Sequence, residues 1–206
     1  NACGGQIENL GGETGDWNTR QIRHLWRCRP ACLRGGERHI EPDLTNAGPF
    51  LAAAMICGGQ VSIPHWPAKT FQAGDAWRQL LTPMGARIYR SPEGSLVCQG
   101  NGVIGGTQCD LEAIGELTPT LAALCTLAVE PSKLTGIGHL RGHETDRLTA
   151  LETEIKRLGG KAKASETTLR ISPSPLHGDL VQTYADHRMA MFAALIGLQV
   201  PGVRIA

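Results

Sequence analysis

The sequence lacks an excess of charge of either sign. Its 206 residues include 20 Lys and Arg against 19 Asp and Glu, which gives a formal net charge of +1. Proteins that bind nucleic acids or membrane surfaces through bulk charge have a strongly basic balance. The composition therefore argues against nucleic-acid and membrane partners, and any basic function must be local.

Long hydrophobic runs and a secretory leader are also missing. The most apolar stretches, around residues 50–57 and 117–129, are too short or too polar for a membrane span, which needs about 20 apolar residues. The first residues, NACGGQIENLGG, contain no basic segment followed by an apolar core, and they do not begin with Met. We expect the chain to be a fragment of a longer protein.

The seven cysteines do not form the even set that a disulfide framework requires. Three of them lie in apolar or strand-like runs, where cysteine usually acts as a small hydrophobic residue. This favours a reducing, cytoplasmic location. Four residues with metal-capable atoms lie near one another in the sequence: His24, Cys28, Cys32 and His39. The spacing of the two cysteines is not that of a structural zinc site, so we expect no metal.

The sequence does contain a repeat with a period of about seventy residues. Asp43, Glu116 and Asp186 each precede an Ala-rich apolar segment of helical composition, and a β-branched run follows each segment. In the first two copies a second helix-like segment leads into a hairpin, RIYR-SPEG-SLVCQ or KAKA-SET-TLRIS. With a leading strand, each copy becomes a βαβαββ unit.

The period predicts the organisation of the chain. Residues 40–206 form an α/β domain with units at about 40–105 and 106–173 and a third, 174–206, that is truncated at the C-terminus. Residues 1–39 do not join the pattern and are predicted to be a separate, unassigned segment.

The packing of helices and strands does not explain the polar cluster HLRGHETDRL at 139–148. It lies between a strand and the second helix of the middle unit, and loops at strand ends often carry function. The alternative interpretation is a capped helix start, with Thr145 or Asp146 as the N-cap and Arg147 solvated.

A second polar cluster, YADHRM at 184–189, opens the third repeated helix. Asp186 can act there as a simple N-cap. His187 and Arg188 lie in the first helical turn, where positive charge opposes the helix dipole, so an anionic ligand would compensate. Two arginines at element ends suit the bidentate binding of a carboxylate or phosphate.

Four motifs together resemble the C-terminal part of actinobacterial-type 5-enolpyruvylshikimate-3-phosphate (EPSP) synthases. They are IEPDLTNAGPFLAAA at 40–54, GELTPTLAAL at 115–124, GIGHLRGHETDRL at 136–148 and YADHRMAM at 184–191. The resemblance implies two domains, each an inside-out barrel of three βαβαββ units with buried helices. It also implies transfer of the enolpyruvyl group of phosphoenolpyruvate to the 5-hydroxyl of shikimate 3-phosphate, with release of phosphate and no cofactor.

The same resemblance implies roles for individual residues. Glu116 takes the proton of the 5-hydroxyl, and Glu144 protonates the methylene carbon of phosphoenolpyruvate and later removes a proton. Arg147 and Arg188 bind the carboxylate and phosphate of that substrate. Further substrate-binding positions are His139, His143, His187 and Asp186.

The cationic residues that bind the shikimate phosphate belong to the other domain of the family. The resemblance therefore implies a missing N-terminal domain as partner, and we expect little or no turnover from this chain alone. Two alternatives remain open at this stage. One is UDP-N-acetylglucosamine enolpyruvyl transferase, which shares the fold and the chemistry, and the other is a catalytically inactive fragment of the synthase.

Overall fold

The computed structural model describes residues 5–9, 26–37 and 39–206. The chain divides into two compact units, Asn1–Ile40 and Glu41–Ala206. In the first unit, β1 (Gln6–Asn9) and β2 (Trp26–Arg29) pair as antiparallel strands. Of the four residues with metal-capable atoms noted above, His24 lies outside the described residues.

The second unit contains the helices of the described chain. Their bounds are α1 (Leu44–Cys57), α2 (Trp77–Leu81), α3 (Thr118–Leu127), α4 (Arg147–Arg157) and α5 (His187–Gly197). Asp43 caps α1 by accepting a 3.0 Å hydrogen bond from the backbone N–H of Asn46. Gly58 ends α1 at a φ of 66°, a conformation that glycine adopts without steric cost. None of the described helices is both long and apolar enough to cross a membrane.

Three sheets flank these helices. Their strands are β3 (Gln60–Ile63), β4 (Arg87–Arg90), β5 (Leu96–Gln99), β6 (Gln108–Asp110), β7 (Ser132–Thr135), β8 (Lys161–Ala164), β9 (Leu169–Ser172), β10 (Leu180–Val181) and β11 (Arg204–Ile205). The strand orders are β3-β5-β4, β6-β7-β9-β8 and β10-β11. The predicted hairpins are confirmed as the antiparallel pairs β4–β5 and β8–β9. The pairs β6–β7 and β10–β11 are parallel, because α3 and α5 cross between their strands.

Helix α3 lies in the interior of the second unit and packs against α1 and α5. Every residue of 118–126 is buried. This agrees with its sequence, TPTLAALCTL, which has no charged face. On β8 the pattern alternates instead, with Lys161 and Lys163 exposed and Ala162 buried between them. The helices and the inward-facing strand residues together form the core, and the lysines of β8 face solvent.

The second helix of the first repeat is shorter than the segment AWRQLLTPMGARI suggests. Helix α2 ends at Leu81, because Pro83 lacks the N–H that a helix needs and disfavours helical geometry in the residue before it. Its first residue, Trp77, is fully buried against α1. A side chain at Gly48 of α1 would collide with the indole ring, so glycine is required at this close approach.

We expect Gly48→Ala to lower the free energy of unfolding by about 1–3 kcal/mol, the usual cost of overpacking a core. Gly59→Ala is the matched control, because no atom lies near its added methyl group. Denaturant unfolding of both variants measures the difference. Equal stability of the two variants would show that the indole ring moves away without cost.

Candidate active site

Predicted site residues meet where α3, α4 and α5 begin. Glu116 lies in the 3-10 turn before α3, Glu144 in the loop before α4, and Arg147 at the first position of α4. Asp186 is the N-cap of α5, and Arg188 lies in its first turn. We call these five residues the arginine–carboxylate cluster.

Only two of these helix starts use an acidic cap. Asp146 caps α4 and Asp186 caps α5, each accepting a hydrogen bond from a backbone N–H of the first turn. Glu116 does not cap α3, although the repeat pattern placed it at an equivalent position; α3 has no side-chain cap. The Glu116 carboxylate is therefore available to cationic side chains.

Arg147 and Asp186 form a buried ion pair. Arg147 Nε donates to Asp186 Oδ2 at 2.7 Å, and Arg147 Nη2 donates to Asp186 Oδ1 at 3.3 Å. Only 2% of the Arg147 side chain and none of the Asp186 side chain is exposed. The alternative interpretation in which Arg147 is solvated is therefore wrong: the guanidinium is buried because Asp186 compensates its charge.

Glu116 is surrounded by positive or titratable groups. Its carboxylate oxygens lie 3.3 Å from Arg147 Nη1, 2.6 Å from Arg188 Nε and 3.1 Å from His143 Nδ1. The Arg188 contact is an ion pair without hydrogen-bond geometry, because the Nε–H bond is not directed at the carboxylate. About 40% of the Glu116 side chain remains exposed.

Glu144 binds the other side of the same guanidinium. Its Oε2 lies 3.2 Å from Arg147 Nη2 and 3.4 Å from His187 Nδ1, and half of the side chain is exposed. Arg147 thus contacts three carboxylates, one buried and two open to solvent. An arrangement of this kind can bind an anion and exchange protons at one place.

Pairing with Arg147 lowers the pKa of the buried Asp186 carboxyl. Burial alone would raise the pKa of Asp186, but hydrogen bonds from the Arg147 guanidinium and from the backbone N–H of Arg188 hold that pKa below its usual range. Asp186 therefore remains ionised at neutral pH.

Comparison with models of protein families shows to which family this chain is related. The model of the family EPSP synthase (3-phosphoshikimate 1-carboxyvinyltransferase) matches residues 12–206. The chain belongs to the EPSP synthase family. This confirms the resemblance that the four motifs indicated.

Curated relatives of this EPSP synthase family chain carry the same enzyme name. A 3-phosphoshikimate 1-carboxyvinyltransferase of Kocuria rhizophila is 52% identical over 181 residues, which is 88% of this chain and 40% of that protein. Its counterpart in Bifidobacterium longum is 42% identical over 207 residues, covering 97% of this chain and 46% of that protein. The chain therefore spans less than half the length of these relatives.

Solved EPSP synthase structures share the fold. One from Acinetobacter baumannii has a TM-score of 0.75 at 20% identity and covers 98% of this chain and 52% of that chain. A second from the same organism has a TM-score of 0.70 at 19% identity, with the same coverage. This likeness confirms an α/β fold with helices and mixed sheets.

The histidines lie around the rim of the cluster. His143 contacts Glu116, and its ring centroid lies 6.0 Å from that of His139. The exposed His139 ring occupies the space that a side chain at Gly115 would fill. His187 is about half exposed beside Glu144.

Within the described residues, Glu144, Asp186 and His187 bring three metal-capable atoms within 4.8 Å of one another. Both Asp186 oxygens already accept hydrogen bonds from Arg147, and Glu144 accepts another. The Arg147 guanidinium thus supplies positive charge to two of these three groups.

Two supporting features were missed in the sequence. Arg141 donates to Asp146 and to the backbone carbonyl of Ser165, which attaches the loop before α4 to the β8–β9 hairpin. Tyr184 and Ala185 adopt positive φ angles of 56° and 55°, a conformation that costs a non-glycine residue about 1–2 kcal/mol. Neither residue type signals this conformation, so sequence reasoning could not find it.

We expect Asp186→Asn to lower the free energy of unfolding at pH 7 by about 3 kcal/mol, because it leaves the buried guanidinium without its main partner. Asparagine keeps one acceptor oxygen for the N-cap but places an NH2 group where the other oxygen accepts from Arg147, so the variant removes both the charge and one hydrogen bond of the pair. Because the folded protein lowers the pKa of Asp186, the carboxylate contributes stability above about pH 4, and this is lost as the pH falls through the folded value.

Denaturant unfolding at pH 7 and at successively lower pH measures this difference. The gap between the wild type and Asp186→Asn should narrow toward acid, whereas the exposed control Glu166→Gln should unfold like the wild type at pH 7. A gap that stays constant down to pH 2 would show that the charge is not the cause.

Proposed function

We propose that this chain is the C-terminal part of an enzyme that transfers the enolpyruvyl group of phosphoenolpyruvate to the 5-hydroxyl of shikimate 3-phosphate, a step toward aromatic amino acids. The observation that carries the proposal is the arginine–carboxylate cluster. It places two guanidinium groups beside two solvent-accessible carboxylates. The arginines suit an anionic substrate, and the carboxylates suit proton transfer.

The proposed reaction has two steps. In the addition, the 5-oxygen of shikimate 3-phosphate bonds to C2 of phosphoenolpyruvate, Glu116 takes the hydroxyl proton, and Glu144 protonates the methylene carbon C3. In the elimination, Glu144 removes a proton from C3, the carbon–carbon double bond forms again, and the bond from C2 to the phosphate oxygen breaks. The departing phosphate takes the proton that Glu116 accepted, so both carboxyl groups return to their starting states. Both steps balance without a cofactor.

Substrate binding in this proposal begins at Arg188. Its side chain is 15% exposed, against 2% for Arg147, and its ion pair among the described residues is with Glu116. Phosphoenolpyruvate therefore displaces Glu116 from Arg188. The released carboxylate is then free to accept the hydroxyl proton. Asp186 is buried and acts on the substrate by orienting Arg147.

The rim histidines His139, His143 and His187 are proposed to contact substrate. All three retain exposed surface at the cluster. Imidazole rings can supply hydrogen bonds, but they lack the permanent positive charge of an arginine. The charge that neutralises the shikimate phosphate is therefore assigned to an N-terminal domain of the same enzyme.

We also propose an inside-out barrel of repeated βαβαββ units for this domain. The element order β6-α3-β7-α4-β8-β9 and the buried helix α3 support it. The cytoplasm is the proposed location, and the six free cysteines of the described residues agree with a reducing compartment. The names of the curated relatives do not favour a UDP-N-acetylglucosamine enolpyruvyl transferase.

The proposal predicts that Arg188→Ala abolishes measurable binding of phosphoenolpyruvate. Titration of the purified chain, followed by the phosphorus NMR signal of the substrate, measures this. Arg170→Ala is the control, because it removes one exposed positive charge from β9, outside the cluster. Equal binding by Arg188→Ala and Arg170→Ala would refute the assignment of Arg188.

In the presence of shikimate 3-phosphate, we expect little or no phosphate release from the chain alone.

The displacement of Glu116 predicts a second, opposite effect. Glu116→Gln should bind phosphoenolpyruvate about two- to five-fold more tightly, because the anion no longer competes with a partly exposed carboxylate for Arg188. Glu112→Gln is the control, since this exposed residue lies in the same 3-10 turn. Weaker binding by Glu116→Gln would show that Glu116 itself holds the substrate.

A further inference from the structure

A strained turn positions the first residues of α5. Tyr184 and Ala185 adopt consecutive positive φ angles, and the backbone N–H of Asp186 donates to the carbonyl of Thr183 at 2.9 Å to close the turn. Glycine, asparagine or aspartate normally occupies such positions. Since neither residue favours this conformation, contacts from elsewhere must hold it.

Thr183, the first residue of the turn, donates to the carbonyl of Ala206, and Glu154 on α4 contacts the turn from its other side in sequence. Its Oε1 accepts from the Tyr184 hydroxyl at 2.6 Å, and its Oε2 accepts from the backbone N–H of Gln182 at 3.1 Å. Its carboxylate is fully buried, and Arg157 Nε donates to it at 2.8 Å. Glu154 therefore contacts the turn at Tyr184 and the chain just before the turn at Gln182.

The position of Glu154 on its helix is unusual. It shares the apolar face of α4 with Leu151 and Ile155, which are both fully buried. A buried carboxylate is expensive to desolvate, and an apolar residue would suit this face better if packing were the only requirement. Burial and the Glu154 charge raise the pKa of Tyr184 to about 12, so its hydroxyl remains a donor at physiological pH.

We propose that Glu154 is a positioning residue that holds the turn at 184–185, so that Asp186 meets Arg147 and Arg188 meets Glu116. It acts only through the turn and takes no part in proton transfer or substrate contact. Helix α4 then binds the start of α5 twice, through Arg147 at its first residue and through Glu154 two turns later. The consequence for catalysis rests on the proposed function, whereas the geometric effect does not.

The test measures by NMR how fast the Arg147 Nε–H of the whole chain exchanges with solvent. This group is hydrogen-bonded to buried Asp186, so its exchange should be slow. We expect Tyr184→Phe and Glu154→Gln each to accelerate this exchange about tenfold or more, while backbone amides of α3 keep their protection. Tyr89→Phe is the matched control, because Tyr89 is the other tyrosine and is 40% exposed, against 39% for Tyr184.

A rescue separates positioning from general stability. Ala185→Gly removes the steric cost of the positive φ angle, so it should restore slow exchange in the Tyr184→Phe background. Unchanged exchange in both single variants would overturn the proposal, as would an equal loss of protection throughout α3 and α4. The readout needs no substrate, so it stays valid even if the chain does not bind phosphoenolpyruvate.

Discussion

The buried ion pair between Arg147 and Asp186 is the interaction on which the rest of the site depends. It joins the first residue of α4 to the N-cap of α5, and both groups are withdrawn from water. A guanidinium in this environment requires a carboxylate at a fixed distance. The pair therefore sets how the two helix starts meet, and the exposed members of the cluster are arranged around it.

The cluster also resolves a conflict between charge and helix direction. Helix N-termini favour negative groups, yet Arg147 and Arg188 both lie at such ends. Glu116, Glu144 and Asp186 offset this unfavourable placement in the free protein. An anionic substrate can supply the same negative charge. It can therefore replace a protein carboxylate beside these arginines, because both arginines lie at helix N-termini.

Much of the local structure was predictable because its causes are local. The caps at Asp43, Asp146 and Asp186 depend on backbone N–H groups within a few residues of each side chain. The two hairpins follow from turn residues between short alternating strands. Family motifs, which cover the same segments, brought together the residues of the candidate site before any distance was known.

The α/β character, the acidic caps of α1, α4 and α5, the hairpins and the family were all predictable from the sequence. The packed structure was needed to show that Glu116 pairs with arginines instead of capping α3, that Arg147 is buried, and that Tyr184 and Ala185 adopt a left-handed turn. These features depend on contacts between residues about thirty or more positions apart, such as Arg147 with Asp186 and Glu154 with Tyr184. Local propensity carries no information about such contacts, because their free energy arises only when separate helices are packed together.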